Sequence, residues 1–159
     1  NLIPSDAESI SDLGDMRLNL GDEAGAFEDY SKAIEIDPKY GFAYISRGWL
    51  YHCLDRNKEA IDDFNVAIEL DPFDNWALAH RGYIKELESD FHGAIEDQTK
   101  AIQIDPDWEE PYLNRGCSKA MLGDAVGALE DFDKALEINP DYEEAYMERE
   151  MLRRPDDEY

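Results

Sequence analysis

Histidine and cysteine side chains are the groups in this sequence best suited to nucleophilic or acid–base chemistry. The sequence has three histidines, His52, His80 and His92, and two cysteines, Cys53 and Cys117. Adjacent residues such as His52 and Cys53 point about 100° apart on a helix, and no third residue is spaced to orient them. Zinc, calcium and phosphate-loop spacings are also missing from the sequence. We therefore expect no catalytic residue, no metal and no cofactor. Of the three hypotheses for function considered below, an enzyme that uses a histidine or a cysteine is the least favoured.

A large excess of acidic residues restricts the class of partner. Aspartate and glutamate number 39 against 15 lysines and arginines, which gives a net charge of −24. Nucleic acids and anionic membranes bind basic surfaces, so we expect neither as a partner. The apolar fraction of 43% indicates a packed core and not a disordered acidic tail. The two cysteines stand far apart, which is compatible with a reducing, cytoplasmic compartment without deciding it.

A period of 34 residues runs through the sequence and organises the elements that position these side chains. Proline recurs at this step, preceded each time by aspartate or asparagine: Pro38, Pro72, Pro106 and Pro140. Alanine, glycine and bulky residues keep the same step: Ala26, Ala60, Ala94 and Ala128; Gly14, Gly48, Gly82 and Gly116; Tyr30, Phe64 and Phe132, with Gln98 in the remaining place. Four copies in phase indicate a repeat protein.

Each repeat has the pattern of two amphipathic helices joined by a turn. Tyr44, Gly48 and Tyr51 fall on one helical stripe, and Ala60 and Phe64 begin the equivalent stripe of the next helix. Turn residues with an aspartate suited to cap the following helix separate most of these pairs. The residue before each proline is disfavoured in the α region, so we expect the second helix to end there.

A 34-residue helix–turn–helix unit with these columns resembles the tetratricopeptide repeat. The resemblance implies an all-α fold, a right-handed α-solenoid of four such repeats with a C-terminal capping helix. The expected boundaries are an N-terminal arm at 1–6, repeats at 7–40, 41–74, 75–108 and 109–142, a capping helix at 143–154 and a tail at 155–159. It also implies a scaffold or adaptor function, because the family consists of protein-interaction modules.

Arginine and aspartate form two further columns. The arginines are Arg47, Arg81, Arg115 and Arg149, and the aspartates are Asp29, Asp63, Asp97 and Asp131. The first repeat lacks the arginine, whereas the last helix has it. We therefore predict ion pairs across each repeat boundary, between Asp29 and Arg47, Asp63 and Arg81, Asp97 and Arg115, and Asp131 and Arg149. We interpret them as structural pairs that fix the register of the repeats, in preference to a row that binds carboxylates.

A second stripe of the first helices remains for partner binding. Its predicted contact residues are Phe42, Trp49, Cys53, Trp76, His80, Tyr83 and Met121, with Glu8, Asp12 and Asp15 at an acidic end. The resemblance implies that this stripe lines a concave groove that binds a peptide or helix. The alternative is that these aromatic residues only pack against adjacent helices and complete the core.

The composition of this stripe predicts the partner's chemistry. An acidic rim beside aromatic residues favours a protein or peptide with basic residues next to an apolar anchor. Family members that bind chaperone C-termini use a clamp of Lys, Asn and Arg, whereas this stripe has residues such as Asp15, Ser46 and Trp76. An acidic C-terminal tail is therefore not the expected ligand. The second hypothesis is a structural module that self-associates.

Overall fold

The computed structural model describes residues 6–154, and helices are the regular elements throughout that part of the chain. They are α1 (Ala7–Asn19), α2 (Glu23–Ile36), α3 (Gly41–Cys53), α4 (Asn57–Leu70), α5 (Asn75–Leu87), α6 (Phe91–Ile104), α7 (Glu110–Met121), α8 (Ala125–Ile138) and α9 (Glu143–Arg153). The predicted tail and nearly all of the predicted arm lie outside the described residues. Asp6, at the end of the arm, accepts a hydrogen bond from the Ser9 backbone N–H at 2.8 Å and caps α1.

The turn inside each repeat uses a left-handed residue followed by a helix cap. Gly21 and Gly123 have φ values of 79° and 83°, and Asp55 and Ser89 hold the same position at 57° and 65°. This conformation costs glycine little and other residues more. The aspartates that follow three of these turns accept hydrogen bonds from backbone N–H groups of the next helix at 3.0 Å: Asp22, Asp90 and Asp124.

The second helix of each repeat ends before the proline, as predicted. Asp37, which precedes Pro38, is extended with φ −133° and ψ 96°. Its side chain accepts a hydrogen bond from the Lys39 backbone N–H at 2.9 Å. Asn139 accepts the equivalent bond from Asp141. An acceptor oxygen two residues before the donor is sufficient for this hydrogen bond, so asparagine can form it as well as aspartate.

The chain divides into two compact units, Asn1–His80 and Arg81–Tyr159, with the boundary inside α5. In the first unit, Ala26, Tyr30 and Leu50 form part of the buried core. Gly48 lies where α3 crosses α4, and a Cβ there would be 3.3 Å from the Ala60 carbonyl oxygen. The columns of glycine and alanine therefore permit close approach of the two helices of a repeat.

The second unit repeats this packing. Its core includes Ile102, Leu113 and Phe132. Gly116 lies against Phe132, where a Cβ would be only 2.5 Å from the ring carbon Cε1. Gln98, which replaces the bulky aromatic, is fully buried. The boundaries between repeats stay predictions, because helix positions alone do not delimit units that fold separately.

The arginines pair within repeats, so the predicted pairing across repeat boundaries is wrong. Each of three arginines donates two hydrogen bonds to the aspartate sixteen residues later, at 2.6–2.9 Å: Arg47 to Asp63, Arg81 to Asp97, and Arg115 to Asp131. In the first repeat Arg17, one turn after Leu13, lies 3.2 Å from Asp29 and replaces the missing arginine. Arg17 is in phase with Lys85 and Lys119, which pair in the same way with Asp97 and Asp131, so Asp29 keeps a cationic partner although Leu13 holds the arginine position.

A different column connects consecutive repeats. The Arg47 guanidinium donates to the Ser31 hydroxyl at 3.3 Å, and Arg115 donates to the Thr99 hydroxyl at 3.2 Å. Arg149 has no second helix after it within the described residues, and it donates to Asp133, in the same column as Ser31, at 2.9 Å. Arg47, Arg115 and Arg149 therefore contact the preceding repeat through residues two positions beyond the predicted aspartates.

The length and hydropathy of the helices bear on membrane insertion. Within residues 6–154, every helix is too short or too polar to cross a lipid bilayer.

Candidate interaction site

Side chains from α1, α2, α3 and α5 line one cavity of about 440 Å³ in the first unit. We call it the aromatic pocket, and its lining residues are Asp15, Leu18, Tyr30, Phe42, Ile45, Ser46, Trp49, Asp74, Trp76 and His80. Five of the predicted contact residues are among them: Asp15, Phe42, Trp49, Trp76 and His80. The helical stripe therefore predicts half of the lining.

Aromatic rings form the walls of the pocket. The ring centroid of His80 lies 4.8 Å from that of Trp49 and 5.4 Å from that of Trp76, with planes tilted by about 45°. Phe42 and Trp76 remain 57% exposed, and Trp49 remains 37% exposed. Side chains that merely complete a core would be covered, so these residues leave aromatic surface available to a ligand.

His80 is neutral at physiological pH. Burial lowers the pKa of its imidazole to about 4, and the nearby His52 adds a smaller lowering. Burial penalises the charged form, and no carboxylate contributes an opposing effect. The imidazole therefore contributes a ring face to the pocket without a positive charge.

Two carboxylates contribute negative charge to the pocket. Asp15 accepts a hydrogen bond from the Tyr30 hydroxyl at 2.7 Å. Burial and this partnership with Asp15 raise the pKa of Tyr30, so its phenol stays protonated as a donor. Asp74 precedes α5 and accepts a hydrogen bond from the Ala77 backbone N–H at 2.9 Å. Both carboxylates are thereby oriented by the fold.

The predicted acidic end lies near the pocket. Glu8 and Asp12 are exposed on α1 and do not line the pocket itself. Burial raises the pKa of Tyr40, and the charges of Glu8, Asp12 and Asp15 raise it further. The Tyr40 ring lies 6.5 Å from that of Phe42, between centroids. These carboxylates therefore extend the negative potential beyond the lining.

Three predicted contact residues lie elsewhere. Cys53 is exposed at the end of α3 and does not line the pocket. Tyr83 is partly buried and Met121 is exposed, and both belong to the second unit. Their participation in partner binding stays a prediction.

Sequence reasoning missed several lining residues, chiefly Tyr30 and Asp74. Tyr30 shares a period-34 column with Phe64 and Phe132, and that column gives no indication of a binding site. The signal that distinguishes it is its hydroxyl, which that column otherwise lacks. Asp74 lies in the turn before α5, outside the helical stripe from which the candidates were chosen.

The surroundings of the two cysteines do not activate their thiols as nucleophiles. Burial raises the pKa of Cys117 to about 12, and Glu86 and Glu148 raise it further. Partial desolvation also raises the pKa of Cys53, and the charge of Glu23 adds a smaller increase. A reactive cysteine requires a lowered pKa, so both thiols are held in the unreactive protonated form. Among residues 6–154, no group of three or more His, Cys, Asp or Glu side chains is placed to hold a metal ion.

Family comparison agrees with the helix pairs and the period. Two family models, each described as tetratricopeptide repeat, match residues 7–40 and residues 30–62. The chain contains tetratricopeptide repeats, and the family models cover residues 7–62 of it. The predicted family and the all-α repeat fold class are thereby confirmed. No curated protein matches this chain significantly.

Solved structures share the fold of this chain. A crystal structure of MamA is 23% identical, covers 92% of this chain and 80% of its own, and has a TM-score of 0.84. PilF of Pseudomonas aeruginosa is 22% identical, and the match covers 92% of this chain and 67% of PilF, with a TM-score of 0.85. The first tetratricopeptide repeat domain of Spaghetti (RPAP3), bound to the HSP90 peptide SRMEEVD, is 22% identical to this chain. The match covers 73% of this chain and 92% of that domain, with a TM-score of 0.70. At these identities, the likeness establishes the fold.

Proposed function

We propose that this protein is a non-catalytic interaction module that binds a segment of a partner protein in the aromatic pocket. The observation that carries the proposal is the exposure of Phe42, Trp49 and Trp76 around a single cavity. Large aromatic residues at the centre of an exposed patch are the residue type that dominates binding energy. The protonated thiols and neutral His80 support a role without covalent or acid–base chemistry.

The charge of the pocket supports a basic partner. Asp15 and Asp74 line the pocket, and the whole chain has a net charge of −24. Such a surface attracts a segment with Lys or Arg beside an apolar anchor and accelerates its association. The HSP90 peptide bound by the Spaghetti (RPAP3) domain has one arginine against two glutamates and an aspartate, so its net charge is negative. A segment of that charge would be repelled here.

Selection from a phage-displayed library of random peptides tests this proposal. We expect the selected peptides to contain a basic residue within a few positions of an aromatic or aliphatic anchor. They should lose binding to the Trp49→Ala/Trp76→Ala variant by at least about thirtyfold, the equivalent of one hot-spot residue.

Phe73→Ala supplies the matched control for that variant. Phe73 is 76% exposed in the same unit but does not line the pocket. Its replacement should leave peptide affinity unchanged. Peptides that bind the wild type and the double tryptophan variant equally, with both proteins folded by circular dichroism, would place binding outside the pocket.

Self-association is a second candidate because apolar residues lie exposed on α9. Tyr146, Met147 and Met151 are each more than half exposed there. The predicted capping helix therefore carries an apolar strip. If this strip pairs two copies, light scattering will show a mass that rises with concentration, and Met147→Glu/Met151→Glu will abolish the rise. A constant monomeric mass for the wild type would remove this candidate.

A further inference from the structure

The walls of the aromatic pocket suit a rounded cation. Trp49 and Trp76 both line the cavity, and their rings lie at about 45° to that of His80. Phe42 adds a further exposed ring. Indole and phenyl faces attract cations within about 6 Å of their centroids, and tryptophan is the strongest of them. Faces at several angles contact a group with C–H bonds on all sides better than they contact a flat group.

The carboxylates supply charge, and one oxygen of each is already engaged by a hydrogen bond within the protein. One oxygen of Asp15 already accepts from Tyr30, and one oxygen of Asp74 accepts from Ala77. A guanidinium binds best to a carboxylate that offers both oxygens, and a lysine ammonium needs acceptors for three N–H donors. A methylated ammonium has few or no donors to satisfy. It gains from diffuse negative charge and from ring faces.

No positive charge competes inside the pocket. The lining residues of the described cavity include neither Lys nor Arg, and His80 is neutral. A volume of about 440 Å³ also accommodates an alkyl stem in addition to an ammonium head. The exposure of Phe42 and Trp76 leaves the cavity open to a side chain that enters from a longer segment.

Given that the pocket holds a partner segment, as proposed above, we propose that it recognises a methylated lysine of that segment. The methylated ammonium would contact the faces of Trp49 and Trp76, and Asp15 and Asp74 would neutralise its charge. The neighbouring apolar residue of the segment would contact the remaining lining.

A pair of isosteric small probes tests the charge requirement first. Choline and its neutral analogue 3,3-dimethyl-1-butanol are titrated into the protein while the indole N–H resonances are followed by NMR. Choline should shift the signals of Trp49 and Trp76 saturably, because both rings line the pocket. We expect the neutral analogue to bind at least about tenfold more weakly. Equal binding of both probes would overturn the proposal.

A variant that removes the two negative charges without changing the shape of the side chains separates electrostatic attraction from packing in the pocket. Asparagine at positions 15 and 74 can still accept the hydrogen bonds from Tyr30 and Ala77, so Asp15→Asn/Asp74→Asn should fold normally. We expect it to lose choline affinity severalfold and to keep the affinity for the neutral analogue. An unchanged choline affinity would exclude a role for these carboxylates and overturn the proposal.

Peptides then distinguish this proposal from the proposed function. One peptide selected by phage display is made with lysine, trimethyllysine, arginine or a neutral tert-butyl analogue at its basic position. The trimethyllysine form should bind at least about tenfold more tightly than the other three. Tighter or equal binding of the lysine or arginine form would overturn the methyl-lysine assignment while the proposed function stands. Binding of choline without binding of any peptide would refute both.

Discussion

At the residue scale, burial decides how much each ion pair contributes. The Asp131 side chain is 5% exposed and lies 2.6 Å from Arg115 and 2.7 Å from Lys119. The Asp133 side chain, two residues later, is 46% exposed and pairs with Arg149. Removal of one partner from a buried pair leaves an uncompensated charge, whereas exposed pairs contribute little. These neighbours therefore provide a matched comparison.

We predict that Asp131→Ala lowers the free energy of unfolding by about 3–5 kcal/mol, because Arg115 and Lys119 lose their shared partner. Asp133→Ala should lower it by about 0–1 kcal/mol, because water already screens that pair. Denaturation with urea, followed by circular dichroism, measures both. Similar losses for the two variants would show that burial does not control the contribution of these pairs.

A second residue-scale prediction concerns His80 and pH. The pKa of His80 falls from 6.5 to about 4 on folding, so the unfolded chain binds this proton more readily. Stability should therefore decrease as pH falls below 6.5 and level off, for this residue, near pH 4. Between pH 7.5 and 5 the contribution is about 2 kcal/mol.

The matched variant for that prediction is His80→Gln, which cannot titrate. Acidic residues also titrate at low pH, so the informative quantity is the difference between wild type and variant at each pH. The wild type should lose about 2 kcal/mol more than the variant between pH 7.5 and 5 in urea denaturation. Parallel pH profiles would mean that the imidazole is not desolvated.

At the scale of the element, local backbone chemistry sets the turn and the ends of the helices. Gly21 and Gly123 occupy the left-handed position of their turns, whereas Ser89 adopts φ 65° without glycine's freedom. The aspartate caps and the extended residue before each proline act within a few positions of the chain. These features belong to each helix pair and do not depend on partner contacts.

We predict that Ser89→Gly raises the free energy of unfolding by about 1 kcal/mol, because it relieves a left-handed non-glycine residue. Gly123→Ser, at the equivalent position, should lower it by about the same amount or more. Thermal and urea denaturation measure both changes. A destabilised Ser89→Gly variant would show that the serine side chain contributes more than the backbone conformation costs.

At the scale of the whole molecule, the dominant property is charge. A net charge of −24 on 159 residues generates repulsion between acidic side chains in the compact state. One period-34 column is acidic and exposed in every repeat: Glu28, Asp62, Glu96 and Glu130. Salt screens such exposed charges more effectively than it screens the buried pairs.

We predict that stability rises with salt between about 0.02 M and about 0.5 M NaCl, as the Debye length falls from roughly 20 Å to roughly 4 Å. Replacing the four acidic residues of that column with their amides should raise stability at low salt and flatten the dependence. Melting temperatures across the salt series test this. A decrease in stability with salt would mean that attractive pairs outweigh the general repulsion.

The sequence by itself determined the elements of this protein and their order. Periodic prolines, caps and helical stripes act over a few residues, so they predict the helix pairs and half of the pocket lining, including Trp49 and Trp76. Only the tertiary structure decided that Arg47 pairs with Asp63, that Tyr30 and Asp74 face one cavity, and that His80 is neutral. Those outcomes depend on which side chains burial brings together and removes from water, and spacing along the chain does not specify them.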